Sequence, residues 1–288
     1  MDLPSGPSHC VVVTGSTRGL GFALADAFLA ADCAVVVSGR TESAVGECIE
    51  KLRSTHPNSS VTGVAADVGR IEDVEGLFAT ATATFGRVDL WINNAGLGGH
   101  PVPLVELTAT EIADVVAANL TGTMNGCIVA LAGMREQQTA GQIFNTEGFG
   151  SNGVKRNGMA IYGATKQAIR YFTRSVVKEI AGGPIRVGTI IPGIVVSDML
   201  AEQYRAASPR RRDLYSAFAD LPETIAAELV PRLLTNQEHG AVISWLSPTD
   251  MVGRMLRPKY KKRGLLAALD APTEDIERVG GASGSTKS

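Results

Sequence analysis

Short apolar runs alternate with longer helical patterns along most of this chain, and that alternation restricts the fold more than any other feature. Strands are expected at residues 10–14, 33–38, 61–65, 90–93, 142–145 and 185–191, with a seventh at 241–246. Their near-continuous hydrophobicity suits strands buried on both faces. Helical segments at 19–31, 42–53, 71–85, 109–134 and 162–181 separate the first six. Each is long enough for a right-handed crossover between parallel strands. The pattern predicts an α/β fold, an open doubly wound parallel sheet with helices on both faces.

At 288 residues the chain is long for one such unit, since about 150 residues per domain suggests two. No linker or repeat divides it, so a single domain over 8–250 is expected. The surplus falls in a polar, helical insert at 197–237, a basic extension at 251–271 and a tail at 272–288 expected to be disordered. A net charge of −2 gives no global reason to expect nucleic-acid binding. No run approaches the roughly 18 to 20 uninterrupted apolar residues of a membrane span. The N-terminus lacks the basic and apolar regions of a signal peptide, and a soluble cytoplasmic protein is the expectation. The four cysteines, Cys10, Cys33, Cys48 and Cys127, have neither metal nor redox spacing. They read as reduced, mostly buried thiols, and no metal site is expected.

Directly after the first strand comes Thr14-Gly15-Ser16-Thr17-Arg18-Gly19-Leu20-Gly21, followed by an amphipathic helix. Glycines there permit a tight turn and close backbone approach to a pyrophosphate seated at a helix N-terminus. A dinucleotide is the implied ligand because a strand precedes the loop and a helix follows it. The second strand ends Ser38-Gly39-Arg40, with no carboxylate to take a ribose 2′-hydroxyl. Arg40, helped by Arg18, is instead placed to clasp a 2′-phosphate, so NADP(H) is expected over NAD(H). Asp67 and Val68 follow the third strand, where an adenine ring would lie. Asn94, Ala95 and Gly96 close the fourth with small residues.

Tyr162 and Lys166 stand four residues apart, on one face of a helix. A phenol with a pKa near ~10 is a poor acid or base at neutral pH unless positive charge steadies the phenolate. Together with Asn119 and Pro192-Gly193, the ordered set from Thr14 to Gly193 resembles the short-chain dehydrogenase/reductase family over about residues 8–250. The resemblance implies a Rossmann-type sheet of about seven strands and hydride transfer between a nicotinamide and a carbonyl or alcohol. It implies that Tyr162 exchanges the proton with substrate oxygen. Lys166 would bind the nicotinamide ribose and lower the tyrosine pKa, and Asn119 would hold a water of the proton relay. Pro192, Gly193, Val195 and Ser197 would border the nicotinamide. The family also implies a homo-oligomer, and a substrate lid built from the 197–237 insert.

One position departs from that pattern. The family places a serine about thirteen residues before the tyrosine, and here that place falls to Gly148 within Asn145-Thr146-Glu147-Gly148-Phe149-Gly150-Ser151. Ser151 and Thr146 are the candidate replacements, although neither matches the pattern. Losing an oxyanion-type donor costs about 10²–10³ in rate, which favours an intrinsically easy substrate such as an aldehyde. The same loop, with the segments at 221–232 and 241–248, is similar to the chlorophyll b reductases. Their implied reaction reduces the ring formyl group of a chlorophyll b-like tetrapyrrole to hydroxymethyl, in the plastid stroma or at a membrane surface for a mature plant-type form. Reduction of another aldehyde or ketone, and nucleotide sensing without catalysis, are the alternatives. The segment 251–263 carries six basic residues and no acid. It is suited to a peripheral contact with an anionic membrane or to a pigment carboxylate.

Overall fold

The computed structural model describes residues 7–205, 207–257, 260 and 266; the expected tail at 272–288 lies outside them. Seven parallel strands form one sheet: β1 (Cys10–Val13), β2 (Ala34–Gly39), β3 (Val61–Ala65), β4 (Leu90–Asn93), β5 (Gly141–Thr146), β6 (Ile185–Ile191) and, at the far edge, Val242–Ser244. Two residues each at β7 (Ile194–Val195) and β8 (Ala219–Asp220) make a separate parallel ribbon, so the edge strand is β9. The sheet order is β3-β2-β1-β4-β5-β6-β9. It reverses direction between β1 and β4, and the crevice of a doubly wound sheet opens at such a point.

Alternation along the strands sorts side chains to the two faces. Val11, Val13, Val35 and Val37 pack with α1 (Gly19–Ala30) and α2 (Glu42–Thr55). Cys10, Val12, Ala34 and Val36 pack with α3 (Ile71–Phe85) and with a long helix on the opposite side. That long helix runs as α4 (Ala109–Val116), a π-helical turn at Ala117–Thr121, and α5 (Gly122–Glu136). In length and apolarity alone it is sufficient to cross a membrane, a test that a buried core helix also meets. Its Cys127, Val129, Ala130 and Met134 are buried against the sheet. All four cysteines are buried free thiols, and burial pushes Cys10 and Cys127 up to about 12.

After β5 comes α6 (Ala160–Glu179), which carries the tyrosine and lysine. The insert expected as a lid divides in two. Its first part, α7 (Asp198–Arg205) and α8 (Pro209–Phe218), forms a small cluster of its own around Leu200, Tyr204 and Tyr215. Its second part, α9 (Pro222–Leu234), is not a lid. Ile225, Ala226, Leu229 and Leu233 are fully buried in the core shared with Leu24 and Phe28 of α1. A helix that completes the layer over the sheet departs from the lid expected at 197–237, and only α7 and α8, the cover segment, lie outside that layer.

The last described helix, α10 (Pro248–Leu256), exposes Met251, Val252, Met255 and Leu256. Of the six basic residues counted at 251–263, Arg254 is not a surface charge. It pairs with buried Asp220, which also accepts from Trp245 Nε1 at 2.8 Å. Lys259, Lys261, Lys262 and Arg263 lie outside the described residues.

Candidate active site

The glycine loop is built for close approach. Gly15 sits at φ +62, and a Cβ there would come within 2.7 Å of Ala95 Cα. A Cβ on Gly21 would collide with the Gly15 carbonyl and meet Asn94 Nδ2 at 2.6 Å. Gly19, at φ +57, faces open space with no atom within 4 Å of where a Cβ would be. The first turn of α1 contains no acid, and Arg18 at its N-cap supplies no side-chain cap. An uncapped, positively polarised helix end beside an open glycine is the cradle a pyrophosphate requires. The residues present therefore fit a dinucleotide cofactor.

Neighbouring side chains hold that cradle in place. Thr14 Oγ1 accepts from both Asn94 N and Ala95 N at 3.0 Å. Asn94 Nδ2 donates to the Thr14 and Gly15 carbonyls at 3.0 and 3.2 Å. Ser16 spends its hydroxyl inside the protein, donating to Val13 O at 2.7 Å and accepting from Ser38 N at 2.9 Å. Thr17 packs against Gly39, where a Cβ would meet its Cγ2 at 2.5 Å. The two arginines expected to share a phosphate differ. Arg18 reaches across to the cover and pairs with Asp198 at 2.8 Å. Arg40 is exposed and, among the described residues, has no ion-pair partner. Beyond β3, exposed Asp67 accepts from Gly69 N at 2.9 Å, and Val68 beside it is buried.

On α6, Tyr162, Lys166 and Arg170 recur every four residues and share one face. Lys166 is buried, and its Nζ donates to Thr146 O at 3.0 Å and lies 5.8 Å from the Tyr162 ring centre. Burial lowers its pKa to about 8, against the opposing pull of Glu147. Burial likewise pushes Tyr162 up to about 12, with the charge of Arg156 working to lower it. Asn119 lies in the π-helical turn, fully buried. Its Oδ1 accepts from Leu97 N at 2.7 Å, and its Nδ2 donates to Leu97 O and Thr165 Oγ1 at 3.0 and 3.1 Å. The side chain thus fixes the loop after β4 to α6, with both Nδ2 donors engaged by protein groups. π-turns concentrate at functional sites, and nothing in the local sequence announces this one.

The segment after β5 closes over the tyrosine. A Cβ on Gly148 would collide with Tyr162 Oη, and one on Gly150, at φ +93, would come within 2.7 Å of Gly163 Cα. Ser151 is buried with its N–H donating to Gly148 O at 3.2 Å, and Thr146 Oγ1 is buried without a hydrogen-bond partner among the described residues. Glu147 is buried too; its Oε2 makes no hydrogen bond and stands 3.8 Å from Arg170 Nη1. At the far side, Gly193 takes φ +74 beneath Trp245, behind buried Pro192. Val195 is part of β7, and Ser197 Oγ accepts from Leu200 N at 3.4 Å at the start of α7. The enclosed space beside Tyr162, lined by Gly98, Val102, Leu107, Ile112, Val115 and Ile161 among others, amounts to about 30 Å³, room for a water molecule.

Comparison with known proteins places this arrangement. The short chain dehydrogenase family model matches residues 9–208. A probable chloroplastic chlorophyll(ide) b reductase of Oryza sativa subsp. japonica is 36% identical over 85% of this chain and 51% of its own length. A second chloroplastic chlorophyll(ide) b reductase of that plant is 33% identical over 79% of this chain and 67% of its own. A 3alpha-hydroxysteroid dehydrogenase of Mediterraneibacter gnavus is 30% identical over 66% and 75%. The chain spans about half the length of the first of these. Among solved structures, levodione reductase superposes with a TM-score of 0.75 at 25% identity, covering 88% of this chain and 100% of the other. With a glycine cradle at the switch point, a tyrosine and lysine on one face of α6, and a family model spanning most of the sheet, the chain belongs to the short chain dehydrogenase family.

Proposed function

We propose that the protein is an NADPH-dependent reductase of a ring formyl group on a chlorophyll b-like tetrapyrrole, yielding the hydroxymethyl product. The observation that carries this reading is Gly148 packed against the Tyr162 hydroxyl in place of a serine, within a loop similar to that of the chlorophyll b reductases. The nicotinamide supplies the hydride. Tyr162 donates a proton to the aldehyde oxygen, and its pKa of about 12 keeps it protonated for that task at neutral pH. Lys166 provides the adjacent positive charge and anchors the ribose side. Asn119 holds the loop of Gly96 against Lys166: a Cβ on Gly96 would lie 3.0 Å from Asn119 Oδ1 and 3.8 Å from Lys166 Nζ. Arg40 reads the 2′-phosphate, which Arg18 does not while it pairs with Asp198.

Incubating the protein with NADPH and chlorophyllide b, alongside a panel of simple aldehydes and ketones, tests the reading. Appearance of the hydroxymethyl pigment is expected. Turnover of simple carbonyls with none of any tetrapyrrole would favour the second reading, reduction of a smaller carbonyl compound. The observation behind that alternative is the small space of about 30 Å³ beside Tyr162.

We also infer a homo-oligomer. Tyr171 and Ile128 are 77% and 55% exposed on the outer faces of α6 and α5, beside an open groove lined by Met124, Ala168 and Phe172. A second copy would cover that apolar strip. Light scattering that returns a monomer mass would overturn it.

A further inference from the structure

Arg156, in the loop between β5 and α6, has an unusual set of partners. One terminal nitrogen donates to Tyr215 Oη on α8, and the other to Gln203 Oε1 on α7 at 2.9 Å. Its guanidinium carbon lies 5.2 Å from the Phe149 ring centre. The Nε is buried with no hydrogen-bond partner, and among the described residues no carboxylate pairs with it. Both accepting oxygens are neutral, so a partly buried guanidinium keeps its charge without a counter-ion, an arrangement that costs free energy. The fork formed by Nε and a terminal nitrogen matches a carboxylate with two parallel hydrogen bonds. The residue stands six positions before Tyr162, close enough for its charge to act on the phenol.

The two neutral partners sit on α7 and α8. Movement of α7 and α8 would leave Arg156 at the mouth of the site with all of its donors free. We propose that Arg156 is the anion-recognition residue of the substrate site, exchanging Tyr215 and Gln203 for a carboxylate on the incoming carbonyl compound. The preferred substrate is then a formyl compound that bears a free acid, not its ester. The inference rests on the formyl-reductase reading for the nature of the reacting group, and on Arg156 itself for the acid.

The test is calorimetric binding to the protein saturated with oxidised cofactor, so that no reduction runs. Two acid and ester pairs are compared: chlorophyllide b with its methyl ester, and 4-carboxybenzaldehyde with methyl 4-formylbenzoate. Wild type is expected to hold each acid about tenfold more tightly than its ester, the scale of one charge-assisted bidentate contact. Arg156→Gln should bring acid and ester to within about twofold with the ester affinity retained, and Arg156→Lys should keep part of the difference. Equal affinity for acid and ester in wild type overturns the assignment. So does equal weakening of both in Arg156→Gln, the outcome if the residue only latches the cover. Discrimination within the benzaldehyde pair with no pigment bound upholds the acid site and removes the tetrapyrrole reading. Absence of binding by both pairs overturns Arg156 as a recognition residue.

Discussion

The hydroxyl of Tyr162 rests against the bare α-carbon of Gly148, in space that any side chain at position 148 would have to take. The relationship turns an apparent deficiency into a fit. A serine there would not simply add a donor; its Cβ would displace the phenol that delivers the proton. Gly148→Ser and Gly148→Ala should therefore both lower kcat/KM by about 10²-fold, with the melting temperature nearly unchanged. Steady-state kinetics with thermal unfolding checks this, and a Gly148→Ser enzyme faster than wild type would refute the steric argument.

Tyr162→Phe keeps the ring that fills the space below Gly148 and removes only the proton donor. Turnover should fall by about 10²–10⁴-fold while cofactor affinity stays unchanged, as measured by fluorescence titration. Retained activity would move the acid elsewhere, with Ser151 and Thr146 the next to test.

The reduction rate should have an alkaline limb set by Lys166. With its pKa lowered to about 8, the ammonium is present below that pH and lost above it, whereas Tyr162, raised to about 12, stays protonated throughout. The rate should be flat below neutrality and decline above about pH 8. The carboxylate of Glu147 favours the charged lysine, so Glu147→Gln should move the limb to lower pH. A limb that does not respond to Glu147→Gln would detach it from Lys166.

Arg40→Asp should weaken NADPH by about ten- to a hundredfold, through lost charge-assisted hydrogen bonds and added repulsion, and leave NADH nearly untouched. Equilibrium titration of both nucleotides decides it. Equal loss of the two would mean that Arg40 does not read the 2′-phosphate.

The two parts of the insert should differ in stability. Leu229→Ala, in α9 and fully buried, should cost about 2–5 kcal/mol, as core truncations do. Leu214→Ala, 48% exposed on α8, should stay within about 0.5 kcal/mol. Denaturant titration of both variants distinguishes core from cover.

The elements that were legible in the sequence are those specified by local pattern. Strands such as 90–93 and 185–191 match residue for residue, since a run buried on both faces leaves no choice of register. The glycine loop was legible because strand, loop and helix are contiguous. What was hidden depends on distant partners. Arg156 is one cation in a glycine-rich loop until Tyr215 and Gln203 are brought to it, some fifty residues further on. The membership of α9 in the core is equally silent, because its apolar face suits a lid as well as a layer until Leu24 and Phe28 meet it.

The π-helical turn around Asn119 ties two requirements into one piece of chain. At 3.6 residues per turn, tightening Ala117–Thr121 into a regular helix with every residue retained would rotate everything beyond it by about 100°. Cys127, Ala130 and Met134 would leave the sheet, or else Asn119 would leave Leu97. Neither half of that helix can be realigned alone: the wide turn is the gear tooth that keeps the packing of the domain and the alignment of its chemistry in step.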